Sequence, residues 1–440
     1  MATLPRTSFG ELPFGVGRPG LRFYAALVAL GVLLIWGIVS YSRQWIEGES
    51  VTGLRDLGTG GGATWGLYVT FVVYFVGVSF AGITVAAFIR LFNLTHLRPL
   101  ARMAEILTIV ALVLGALVVL ADLGRPDRGI VNLFRYARPE SPFFGTFSLV
   151  LSGYLFASVV YLFLDGRADA ARLAKRPGRL RGFYRLWAAG YRGTRAEVER
   201  HSRVTFWLAL AIIPVLVAAA STSGFIFGIQ SGAAGWYGAL QAPSFVLLAA
   251  VSGIGHLIVM AAIARYVLKL DVRLPDRTFA WLGNALWILV AAYLYFLIAE
   301  LLVGIYAPRV QEERVTDALI SGPYAWIFWL SIAFLIAPAV MLLTQFLTKS
   351  YDIRLIAVAA VLVNLAAVGK RFLIVVPSQT HGRLLPYETG SYAPTWVEYG
   401  VIVGLLALGA IIILLFFKIF PILPLGNTET ESEGDEVSNV

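Results

Sequence analysis

Ten stretches along the chain are apolar on every side rather than on one face, and short polar segments separate them. They run roughly over 22–41, 65–89, 103–121, 143–164, 204–228, 241–264, 279–305, 323–346, 354–376 and 397–417. A helix crossing hydrocarbon needs about 20 predominantly apolar residues, and these runs supply them. The ~10-residue alternating segments of a membrane β-barrel are not evident. The pattern predicts an all-α polytopic membrane protein of about ten transmembrane helices. The opening "MATLPRTSFGELPFGVGRPGLRFY" lacks the short apolar core and small-residue cleavage site of a signal peptide, so the first helix is expected to be retained.

Composition agrees: of 440 residues, 58% are hydrophobic and 14% charged, with mean hydropathy +0.77. Lysine and arginine set the orientation. With the N-terminus inside, 24 of the 35 basic residues fall on the inner side and 9 on the outer, leaving Lys370 and Arg371 within a span. The positive-inside rule then places both termini in the cytoplasm, and a bacterial inner membrane is the expected location. The net charge of +9 follows from this bias and calls for no nucleic-acid partner.

The longest inner segment, Arg167 to Arg203, interleaves Phe183, Tyr184, Trp187 and Tyr191 with arginines. That pattern predicts an interfacial helix on anionic lipid, with a docking surface for a partner as the alternative. The acidic tail "NTETESEGDEVSNV" has the composition of a disordered segment. "VSFAG" (Val78 to Gly82) and "VSGIG" (Val251 to Gly255) echo each other four spans apart. Such spacing suggests a parallel repeat of two four-helix units, although small residues at helix contacts would echo in the same way. The expected organisation is a tail, first helix and outer loop over 1–64, bundles over 65–228 and 229–376, a loop and last helix over 377–425, and the tail over 426–440.

Ionisable residues at membrane depth are the candidates for chemistry. At 1.5 Å per residue, Arg371 lies ~25 Å from the inner end of its span and Glu300 ~31 Å from the inner end of its own. Asp122 stands at the outer mouth of the third span, followed by Arg125, Asp127 and Arg128. One outer layer is thus expected to gather Asp122, Arg125, Glu300, Lys370 and Arg371. These are either flanking charges that snorkel and pair, or a polar site at the mouth of an apolar cleft. Lys370, with its flexible stem, fits snorkelling. Nearer the inner side, Glu105 and His256 could form part of a proton path. Their bland alternatives are a salt bridge to Arg98 or Arg102, and an interhelical hydrogen bond.

The chain has no cysteine, so it carries no cysteine-ligated iron–sulfur cluster. Of its four histidines only His256 lies well within a span, which argues against a bis-histidine haem. No metal site is expected.

The segments "GKRFLIVVPSQTHGRLLPY…SYAPTWVEYGVIVG", "WGLYVTFVVYFVGVSFAG" and "MAEILT…ADLGRPDRG" resemble, in order and spacing, the larger members of the NrfD/PsrC family. These are membrane subunits of polysulfide-reductase-type complexes, and the branch that includes alternative complex III is nearest. The likeness spans about Trp65 to Leu425. It implies two four-helix bundles with flanking helices, and a menaquinone or ubiquinone site near the outer end of the first. It implies, as partners, an iron–sulfur subunit on the outer face and a catalytic or cytochrome subunit beyond it. The chain itself would be a subunit of a quinone-dependent oxidoreductase with no redox cofactor of its own. By motif, Asp122 and Arg125 border the quinone and Arg371 joins them. Asp122 and Arg371 take the catalytic roles, and Glu300, brought to the same layer by depth and not by motif, completes the quinone-binding set. Proton translocation through the bundle, a property of some members, would involve Glu105 and His256. Two departures stand out: the span-two histidine of some relatives is Phe80 here, and span three has no carboxylate around Val110. A secondary transporter and a structural anchor without quinone chemistry are the alternatives.

Overall fold

In a computed structural model, the described residues are 16–17, 19–55, 62–92, 94–136, 138, 140, 147–270, 273–306, 310–381 and 390–425. The expected disordered tail over 426–440, and most of the N-terminal tail, lie outside them. All regular structure among the described residues is helical. The membrane-length helices are α1 (Leu21–Glu47), α2 (Leu67–Leu91), α3 (Ala101–Asp122), α5 (Ser148–Leu173), α7 (Arg195–Gly228), α8 (Gln241–Leu268), α9 (Asp276–Tyr306), α11 (Ala325–Thr348), α12 (Ile353–Val375) and α14 (Trp396–Ile419). Among the described residues nine of these are long and apolar enough to cross a membrane, and α2, 25 residues long, is the tenth. Shorter helices are α4 (Pro126–Tyr136), α6 (Arg181–Ala188), α10 (Val310–Ile320) and α13 (Pro377–His381).

The contacts between helices close into two rings. In the first, α2 packs on α3, α3 on α5, α5 on α7 and α7 back on α2; in the second, α8, α9, α11 and α12 close in the same order. The rings meet mainly through α2 and α8. Small residues permit that approach: a Cβ on Gly77 would lie 3.4 Å from Ser252 Oγ and 3.5 Å from the Ala249 Cα. Outside the rings, α1 pairs with α14, and α14 rests on α3. Gly37 and Gly404 cross so closely that a Cβ on Gly37 would stand 2.6 Å from the Gly404 Cα. Lipid tails give helices no hydrophobic reason to associate, so this intimacy supplies van der Waals contact instead.

A polar clamp closes the first ring at the end where α3 begins. Arg102, fully buried, donates to Asp169 (2.8 Å), Asp165 (3.2 Å) and the carbonyl of Pro421 (3.0 Å). A buried cation is tolerable only when paired in this way. Asp165 and Asp169 lie past the expected end of the fourth span, because α5 continues as a helix to Leu173. The aromatic segment after it also differs from expectation. Only Arg181–Ala188 forms a separate helix, and two of its rings face protein: Trp187 stacks on Phe420 at 4.5 Å and Tyr184 donates to the Ile419 carbonyl at 2.7 Å. Burial pushes the Tyr184 phenol up to about 12. Phe183 and Leu186 remain exposed, so half of the amphipathic face is taken by the chain's own C-terminal segment.

Candidate functional site

Asp122 is the last residue of α3, at the end of the molecule where α2 and α8 begin. It lies between two spaces of opposite character. On one side is an apolar slot of about 30 Å³, walled by Trp65, Val72, Val119, Phe147 and Phe227. On the other is a polar vestibule of about 530 Å³, lined by Glu49, Ser50, Leu54, Arg55 and Thr64. Asp122 belongs to both linings, and its buried Oδ1 has no hydrogen-bond partner. An unsatisfied buried carboxylate oxygen is costly, so this one is poised for water, a proton or a ligand hydroxyl.

Polar residues from distant parts of the chain frame the vestibule. Gln44 of α1 donates to Glu49 (2.9 Å) and to the Ala121 carbonyl (3.0 Å), and accepts from the Tyr68 hydroxyl at 2.7 Å. Glu398, fully buried in the first turn of α14, accepts from the backbone N–H groups of Gly53 (2.6 Å) and Thr395 (2.9 Å) and from the Tyr392 hydroxyl. The same hydroxyl accepts from the Leu67 N–H at 2.7 Å, and burial beside Glu398 pushes the Tyr392 phenol well above its usual range. The loop before α2 is thereby tied to α14. Gln379 of α13 performs the matching task, accepting from the Trp65 N–H (3.0 Å) and donating to the Trp65 carbonyl (2.8 Å). The beginning of the expected roof segment, Pro377–His381, is therefore a short helix that pins the start of α2. Its remainder over 382–387 lies outside the described residues.

The outer layer expected from depth divides into separate places. Arg125 is exposed, beyond the end of α3. Arg371, only 2% exposed, lies against α8, its guanidinium 3.9 Å above the Phe245 ring and one nitrogen donating to the Phe245 carbonyl at 3.2 Å. Phe245 touches Phe227, which walls the Asp122 slot. Arg371 thus reaches that slot only through two rings, within a cluster that includes Trp65 and Trp236. Glu300 and Lys370 line a different cavity, in the second ring. Lys370 is 5% exposed, and so the snorkelling expectation is corrected: its ammonium points into the protein, where α10 covers the end of the ring.

The two inner candidates lie apart as well. Glu105 is fully buried on α3, and Arg102, one of the partners considered for it, gives its guanidinium to Asp165 and Asp169. His256 sits on α8 with Nδ1 3.0 Å from the Ser252 carbonyl, edge-on to Tyr74 of α2. Tyr74 donates to Asn364 of α12 at 3.2 Å, so His256 belongs to a polar cluster where the two rings meet. Among the described residues no group of three or more His, Asp or Glu side chains could hold a metal ion.

Glu49, Gln44, Tyr392 and Glu398 were not singled out from sequence. Only Glu398 carries a local signal, the "TWVE" spacing of a capping box, which the structure forms with Thr395 as N-cap.

The model of the family described as polysulphide reductase, NrfD, matches residues 56–381. A "Putative dimethyl sulfoxide reductase membrane subunit" of Halobacterium salinarum is 28% identical over 415 residues, covering 90% of this chain and 91% of that protein. A selenate reductase subunit of Mesobacillus selenatarsenatis is 26% identical, covering 91% and 94%. The Hdr-like menaquinol oxidoreductase integral membrane subunit of Archaeoglobus fulgidus is 24% identical, covering 92% and 94%.

Proposed function

Because the chain belongs to the polysulphide reductase NrfD family and is a multi-pass membrane subunit of the reductase-complex type, we propose that it exchanges electrons and protons with membrane quinone at Asp122. The observation that carries this reading is the unpartnered Asp122 oxygen between an apolar slot and a polar vestibule. A hydroquinone carries its electrons together with two hydroxyl protons. A carboxylate within hydrogen-bond reach of such a hydroxyl accepts one proton as the electrons leave, hands it to the vestibule and then takes the second, or returns both in the reverse direction. Glu49 and the vestibule then connect each proton to water. The slot as it stands holds about one water molecule. A ring enters when Leu123, exposed at the slot's lip, moves aside.

The electrons pass to an iron–sulfur subunit docked at the Asp122 end, and from it to a catalytic or cytochrome subunit. Charge distribution supports placing that end outside a bacterial inner membrane, with both termini cytoplasmic. The relative named as a menaquinol oxidoreductase subunit favours menaquinone as the substrate. Arg371 acts here as a positioning residue, holding the Phe245 backbone and, through it, the aromatic wall. His256, at the junction of the rings, is the better placed of the two proton-path candidates, since Tyr74 and Asn364 extend its hydrogen-bonding surroundings across both. Neither ring geometry nor charge favours a transporter. The rings repeat in parallel order, and the buried acidic and basic side chains lie towards the two ends of the bundle rather than midway.

The test is Asp122→Asn in the intact complex, with quinol-linked turnover as the readout. A loss of two orders of magnitude with normal assembly is expected. Turnover at the wild-type level would leave the structural anchor as the better account.

A further inference from the structure

The second ring has its own cavity, about 290 Å³, between the start of α8, the ends of α9 and α12, and α10. Leu297, Leu301, Leu373 and Ile374 supply apolar walls, while Glu300, Glu312 and Lys370 supply the charge. Glu300 accepts from Gln241 Nε2 at 3.3 Å. Among the described residues no hydrogen bond engages the Lys370 ammonium, which lies 5.9 Å from the Phe328 ring centroid. The ammonium opens into the cavity with its donors unused and the Glu300 carboxylate in the same lining, so the space offers a ligand oxygen a donor and a ligand hydroxyl an acceptor.

Three features narrow the ligand. The α9 face beside the cavity is apolar and exposed, with Ile298, Leu302 and Val303 each about half open, so entry is from lipid. Glu300 and Glu312 outnumber Lys370 in the lining, which disfavours a phosphate head group. Glu300 also lies towards the end of the second helix of its ring, as Asp122 closes the second helix of the first. We propose that this cavity is a second site for a quinone or quinol head group, with Lys370 donating to a ring oxygen and Glu300 accepting from a ring hydroxyl. It rests on the reading that the chain handles membrane quinone.

Equilibrium binding of menadione to the intact solubilised complex, corrected for the detergent alone, counts the sites. Two equivalents per chain are expected for the wild type, falling to one in Lys370→Met. Because removing a buried cation can unseat α12, Leu301→Trp is measured alongside; it fills the cavity while leaving every charge in place, and should give one equivalent too. A wild-type count of one that neither variant changes would overturn the second site and leave the Asp122 reading standing. Two equivalents retained in both variants would also overturn it. No binding in the wild type would overturn both readings.

Discussion

Where the first ring ends, Asp122 stands between an apolar slot and a polar vestibule with one oxygen unpartnered; where the second ends, Glu300 shares a larger cavity with a buried lysine. The helix geometry is shared and the electrostatics are not. The cation of the vestibule, Arg55, gives its Nη1 to the carbonyls of Thr52 and Leu54, which leaves the Asp122 oxygen open for proton exchange. In the second cavity a carboxylate and an ammonium face the same space, an acceptor beside a donor, and that pairing suits a neutral polar head. The flanking helices sharpen the contrast. The α1–α14 pair buttresses α3, bringing Gln44, Glu49 and Glu398 to the first site. The second ring is covered by α10 instead.

The most direct way to break this comparison is to neutralise each carboxylate in turn. Asp122→Asn should lower quinol turnover by about 10²–10⁴, the usual range for a lost general base, whereas Glu300→Gln should cost less than about tenfold. Equal losses in steady-state assays would erase the distinction between the rings. Next in size is Arg102→Ala, which strands Asp165 and Asp169 at the far end of the first ring. Breaking such a buried pair costs about 3–5 kcal/mol. Hydrogen exchange should report the loss in α3 and α5 while α9 and α11 stay protected; uniform deprotection would mean that the rings do not respond separately.

Arg371→Ala removes the donor on the Phe245 carbonyl and should lower stability by about 1–3 kcal/mol in thermal unfolding, with a smaller turnover loss than Asp122→Asn. Partial recovery in Arg371→Lys is expected. A turnover loss as deep as that of Asp122→Asn, with unaltered melting, would return Arg371 to the quinone site itself. The smallest effect should come from Tyr392→Phe. Its hydroxyl joins Leu67 to Glu398, and losing it should cost about 1 kcal/mol and only a few-fold in turnover.

Much of the fold was legible in the chain. Apolar runs gave the membrane-length helices, whereas the echo of "VSFAG" in "VSGIG" did not say that the helices carrying it, α2 and α8, would be the ones through which the rings meet. The position of Asp122 at the end of its apolar run was legible too, but its place between a slot and a vestibule was not. The single outer layer was not. Depth follows from 1.5 Å per residue, but direction around the helix axis depends on what each face packs against. Lys370 and Arg371 are adjacent in sequence and share a depth, yet about 100° of helix rotation separates neighbours, so one enters the Glu300 cavity and the other stacks on Phe245.

The interfacial aromatics followed a similar logic. An amphipathic segment announces that it will cover an apolar surface without saying whose. Here Phe420 and the Ile419 carbonyl provide it, from more than two hundred residues away. By itself the sequence determined that the chain is built of apolar helices long enough to cross a membrane, because hydrocarbon imposes length and penalises ions. The tertiary structure alone decided which charges meet, since that rests on helix azimuth and on long-range partners such as Glu49, Gln379 and Glu398.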